Sequence, residues 1–105
     1  MLDNVTAGQT VRFTVTKALR PGDTYDTVQR LMRLDPANKK ALKKAQEHRM
    51  RHLWVRSRGG RPFEVYRKAS KVVVPVEGST FAFRYFPQVR KDIESVAHVL
   101  EIKPE

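Results

Sequence analysis

Lys39, Lys40, Lys43 and Lys44 crowd into one short stretch, and Arg51, Arg56, Arg58, Arg61 and Arg67 follow soon after. Side chains of this kind hold anions. An ammonium is a compact point charge, and a guanidinium is a planar fork that takes two oxygens of a phosphate or carboxylate at once. The other chemistries that a chain can advertise are missing. There is no cysteine, which excludes disulfide frameworks, Cys-based zinc modules and thiol catalysis. No Gly-x-Ser-x-Gly elbow occurs, and no glycine-rich loop ends in Lys-Ser or Lys-Thr. His48 and His52 have the spacing of helical metal ligands, but no glutamate follows His48 as a zincin requires and no third ligand is evident. We therefore expect no cofactor and no metal, and no enzyme other than one whose residues cluster in space without a local motif.

The charge is concentrated. The chain has 105 residues and a formal net charge of +10, from 21 Lys and Arg against 11 Asp and Glu. Residues 39–71 hold twelve basic side chains against two acidic ones, Glu47 and Glu64, whereas residues 1–38 hold five against four and residues 72–105 four against five. The whole excess lies in one third of the chain. A segment of this composition creates a local positive field once folded, and so favours an anionic partner. Nucleic acid is the commonest such partner; an acidic protein surface or anionic lipid has the same chemistry.

The elements that must position these residues follow from periodicity. Thr10 to Thr16 alternates, with Val11, Phe13 and Val15 on one side, as in a half-buried strand. Arg20-Pro21-Gly22-Asp23 reads as a turn, with Asp23 or Thr24 as the cap of a helix that runs to about Arg33. Asp35-Pro36 starts a second helix, because Asp accepts from free amides there and Pro suits the first helical position. This helix is expected to reach about Met50 and to turn Ala37, Ala41, Leu42 and Ala45 inward.

Residues 52–58 and 61–67 read as two strands of a hairpin turned at Gly59-Gly60. That register places Arg58 opposite Arg61, Arg56 opposite Phe63 and Trp54 opposite Val65, so the tip projects a cationic fork. Residues 71–76 and 80–86 suggest a second hairpin around Glu77-Gly78-Ser79, with Pro75 marking an edge. Pro87 opens a helix that carries Val89, Ile93, Val96, Ala97 and Leu100 on one face. Residues 100–104 can instead leave it as a short last strand. The fold class is α+β: a small antiparallel sheet of about five strands, a helical pair inserted after strand 1, and a C-terminal helix packed on the sheet. We expect one domain over residues 1–105, frayed at 1–9 and 103–105. The opening residues Met1-Leu2-Asp3-Asn4 resemble neither a signal peptide nor a membrane anchor, so the expectation is a soluble, cytoplasmic protein.

Each basic element also has a plainer reading. The lysines can be a solvated face that serves solubility, and arginines on a hairpin edge can prevent strand-to-strand aggregation. The lysine arrangement is nonetheless locally unfavourable. Lys39 and Lys43, and Lys40 and Lys44, are like charges four apart, each pair costing about 0.2–0.5 kcal/mol, close to the positive end of the helix dipole. Trp54, Tyr66 and Tyr85 lie among basic residues, as base-stacking platforms do.

The run Gly78 to Tyr85, GSTFAFRY, resembles the third-strand signature of RNA-recognition motif domains, in which aromatics two apart stack on bases. The resemblance covers eight residues. The companion first-strand signature is missing at its proper distance and the order of elements differs, so Phe81 and Phe83 read as core residues of an alternating strand. Together these features predict a module that binds RNA or DNA with weak sequence specificity, through the four lysines with Arg51, Trp54, Arg56, Arg58, Arg61 and Arg67. The alternative is an assembly module that uses a sheet edge near Pro75 and the aromatic strand, and an enzyme of unrecognised type comes third.

Overall fold

The computed structural model describes residues 2–45 and 73–105. The chain divides into two compact units, one formed by Met1–Asp35 with Pro75–Glu105 and the other by Pro36–Val74. The first is an α+β unit. It contains β1 (Thr10–Val15), α1 (Asp23–Met32), β2 (Thr80–Arg84), α3 (Arg90–Val96) and β3 (Leu100–Pro104). Short 3-10 turns at Pro87–Val89 and Ala97–Val99 flank α3. In the second unit residues 36–45 are helical and are called α2.

The sheet has the order β2-β1-β3 and is antiparallel throughout. Among the described residues it has three strands where about five were expected. The Gly59-Gly60 hairpin lies outside the described residues. The second expected hairpin does not form over 73–76, which carry no strand. Instead β2 pairs with β1, Phe83 facing Val11 and Phe81 facing Phe13. The turn at Glu77-Gly78 serves that long-range pairing: Val15 N donates to Ser79 O at 2.9 Å and Gly78 N to Val15 O at 2.8 Å, so two residues oppose one. Gly8 and Gln9 oppose Tyr85 in the same way at the far end. Gly8 and Gly78 have φ of 87° and 86°, the left-handed backbone that a glycine-first bulge requires.

Alternation in β1 fixes the core. Val11, Phe13 and Val15 are buried with Phe81, Phe83 and Tyr85 from β2 and the residue after it, Val28, Leu31 and Met32 from α1, and Ile93 and Val96 from α3. The Phe13 ring stacks on Phe81 and Phe83 with centroids 5.1 and 4.9 Å apart. A three-ring stack on one sheet face supplies much of the apolar burial that a unit this small needs. The aromatic pair that looked like a base-stacking signature is thus internal, and Tyr85 is internal with it.

The opposite sheet face is polar, carrying Thr10, Arg12, Thr14, Thr80, Ala82, Arg84, Glu101 and Lys103. The chain ends, read from sequence as loose, are tied to this unit. Leu2 is buried, Gly8 N donates to Tyr85 O, and Glu105 N donates to Thr10 O at 2.9 Å. Gly22 rather than Asp23 or Thr24 is the N-cap of α1, and it makes no side-chain cap bond. Asp23 and Asp26 in the first turn complement the helix dipole instead.

Candidate functional site

The start of α2 is set by Asp35 and Pro36. Pro36 takes the first helical position as expected. The Asp35 carboxylate also reaches the sheet, where its Oδ2 accepts from the amide of Ala82 in β2 at 2.9 Å. Ala82 lies on the outer edge of the sheet, because residues 79, 81, 83 and 85 bond inward to β1. The edge amide is therefore capped by a side chain from the corner between α1 and α2, which also blunts that edge against strand addition.

Within α2, successive residues turn by about 100°. Asn38, Ala41, Leu42 and Ala45 are half-buried and Ala37 is exposed. Ala37 was expected inward with the other alanines; the helical turn places it beside Lys44, and Asn38 takes its position in the buried stripe. Lys39, Lys40, Lys43 and Lys44 are all exposed and occupy a single arc of about 140° on the other side. Among the described residues none of these four lysines enters an ion pair, whereas four of the nine basic residues of the first unit do. There Arg12 pairs with Glu105 at 2.6 Å, Arg30 with Asp92 at 3.5 Å, Arg90 with Glu94 at 2.6 Å and with Asp3 at 3.0 Å, and Lys103 with Glu101 at 3.1 Å. The two carboxylates around Arg90, Glu94 first and then Asp3, raise its pKa further above the ordinary guanidinium value.

The division of charge follows the division of the fold. Met1–Asp35 and Pro75–Glu105 together hold nine basic and nine acidic side chains, while Pro36–Val74 holds twelve basic and two acidic. The neutral unit is laced with ion pairs, and the second carries the full +10. Of the expected anion-binding residues, the structure describes the four lysines and brings them onto one solvent face. Arg51, Trp54, Arg56, Arg58, Arg61 and Arg67, and with them Tyr66, His48 and His52, lie outside the described residues.

In the first unit the acidic side chains are spread over both faces. Asp92 pairs with Arg30 across the helix layer, whereas Glu101 and Lys103 belong to the polar sheet face opposite. Among the described residues no group of three His, Cys, Asp or Glu can hold a metal ion, and no helix is long and apolar enough to cross a membrane. Sequence reasoning missed Arg90, which joins the N-terminal segment to α3 beside a small pocket lined by Leu2, Ile93 and Ala97. Its i,i+4 relation to Glu94 was the available signal. The chain matches no family model, no curated protein and no solved structure.

Proposed function

We propose that this protein binds a polyanion, RNA or DNA, through residues 36–74, by phosphate contacts that carry little sequence information. One observation supports this above the others: the entire net charge falls in one compact unit, where four lysines stand exposed on one helix face with no ion pair among the described residues, while the rest of the chain balances its charges internally. A solubility role does not need such segregation, since charge spread over both units repels neighbouring molecules equally well. The described part of the surface is Lys39, Lys40, Lys43 and Lys44; the proposed surface continues through Arg51, Trp54, Arg56, Arg58, Arg61 and Arg67.

Contacts of this kind release condensed counterions, so affinity falls steeply with salt and differs little between sequences of one length. Fluorescence anisotropy with labelled single- and double-stranded oligonucleotides over a salt series tests the reading. Absence of binding at low salt, or binding indifferent to salt, refutes it. An assembly role for the aromatic strand has no support of its own, because Phe81, Phe83 and Tyr85 are core residues.

A further inference from the structure

We propose that β3 is a self-pairing edge, through which two copies of this chain join strand to strand about a two-fold axis centred on Ile102. The inference stands apart from polyanion binding and uses only the first unit. The two edges of the sheet are unequal. On the β2 edge the outward amide of Ala82 is capped by Asp35. On the β3 edge the parity is fixed by Thr16 N donating to Val99 O and Glu105 N donating to Thr10 O, both at 2.9 Å. Odd-numbered residues 99 to 105 therefore bond inward to β1, and the amides of Leu100 and Ile102 point outward. The Leu100 amide already closes the preceding 3-10 turn on Ala97 O, and among the described residues the Ile102 amide has no hydrogen-bond partner.

The segment Leu100-Glu101-Ile102-Lys103-Pro104 is self-complementary when reversed on itself. An antiparallel pair centred on Ile102 sets Ile102 against Ile102 of the second copy, Glu101 against its Lys103, and Leu100 against its Pro104. Ile102 carries the outward amide and carbonyl at the centre of the pair, so the Ile102 pair exchanges two hydrogen bonds. Pro104 has no amide to offer, so pairing stops there and the register cannot slide outward.

Side chains favour the same register. Glu101 and Lys103 lie on the polar face, so both cross-copy pairs join opposite charges directly, twice by symmetry. Within one copy Lys103 sits opposite Arg12, a like charge, and its Nζ leans 3.1 Å from Glu101 of its own strand. The second copy supplies the carboxylate that faces it squarely. On the other face Ile102, half-buried in one copy, meets its symmetry mate. The product is a continuous six-stranded sheet with both helix layers on the same side, because the axis runs perpendicular to the sheet.

Sedimentation of the full chain, freed of nucleic acid, over a range of protein concentrations tests this, with circular dichroism to confirm folding. A monomer–dimer equilibrium is expected. Lys103→Glu and Glu101→Lys each place like charges opposite one another at two points and should weaken dimerisation by about tenfold or more. The double variant Glu101→Lys/Lys103→Glu restores opposite pairs and should restore the dimer. Both positions are solvent-exposed, so folding is preserved. A mass that stays monomeric at every concentration overturns the proposal and leaves the edge to a different strand. A dimer indifferent to the single reversals, or one that the double variant does not recover, overturns it equally.

Discussion

Replacing Lys39, Lys40, Lys43 and Lys44 together by glutamine separates the two meanings that a basic helix can have. Each lysine that neutralises a phosphate contributes about 0.9 to the slope of log affinity against log salt on duplex DNA. Four such contacts contribute about 3.6, so a change from about 50 to about 200 mM salt removes roughly two powers of ten of affinity through these residues alone. The quadruple variant should show a slope shallower by about that amount, and binding at physiological salt weaker by up to about three powers of ten, close to 4 kcal/mol.

Stability should move the other way. The lysines are exposed, so glutamine removes no packing, and it relieves two like-charge pairs worth about 0.2–0.5 kcal/mol each, together with the dipole penalty at the helix start. A variant that melts no lower than the parent yet binds far more weakly is the signature of a surface kept for its ligand. Anisotropy titrations at four or five salt concentrations, with thermal melts of the same preparations, read both quantities. A slope that changes by less than about 1 means that at most one of these lysines meets a phosphate, and the α2 face is then only a solvated one.

Three further outcomes test the fold that presents this surface. Phe13→Ala removes the middle ring of the buried stack with Phe81 and Phe83 and should cost about 3–5 kcal/mol in denaturant unfolding; a loss below about 1 kcal/mol contradicts its place in the core. Gly78→Ala meets no atom within 4 Å but must hold a φ of +86°, so the expected loss is conformational and about 1 kcal/mol; an unchanged melting temperature refutes the bulge. Asp35→Ala leaves the Ala82 amide uncapped and should cost about 1–2 kcal/mol, whereas Asp35→Asn keeps an acceptor and should recover most of it. Equal losses for the two variants would place the role of Asp35 elsewhere.

What could be read from sequence was local and periodic. The β1 alternation, the helix beginning near Asp23, the Asp35-Pro36 boundary and the α3 face from Ile93 to Val96 all depend on neighbours a few residues away. Pairing between distant segments left no such trace. Residues 71–76 and 80–86 flank a glycine turn and look like each other's partners, but the chain places β2 against β1 far upstream. Gly78, read as the tip of a hairpin, is instead half of a bulge. Asp35 was legible as a helix-start residue, while its bond to Ala82, 47 residues away, was not. At the candidate site the exposure of the lysines followed from helical period, and the error at Ala37 came from grouping alanines by type rather than by angle.

The arrangement of charge also bears on how a stable fold and a concentration of like charge coexist in so short a chain. Each uncompensated like charge in a compact unit raises its energy through self-repulsion. In the first unit that cost is low, because its nine cations are matched in number by nine anions and three of the ion pairs join segments far apart in sequence, Arg12 with Glu105, Arg30 with Asp92 and Arg90 with Asp3. Exposed pairs of this kind add little stability individually. Their effect is to leave the first unit without a strong field of its own. The two ends of the segment 36–74 leave the first unit at ordered points, Asp35 bonded to β2 and Pro75 buried. The balanced charge of the first unit therefore does not depend on the like charge concentrated in residues 36–74. Substitutions should sort accordingly: those at Phe13, Gly78 or Asp35 change unfolding with the salt slope of binding intact, and those at Lys39 to Lys44 change the slope with unfolding intact. One substitution that moved both quantities strongly would show that the charge and the fold are not separable in this way.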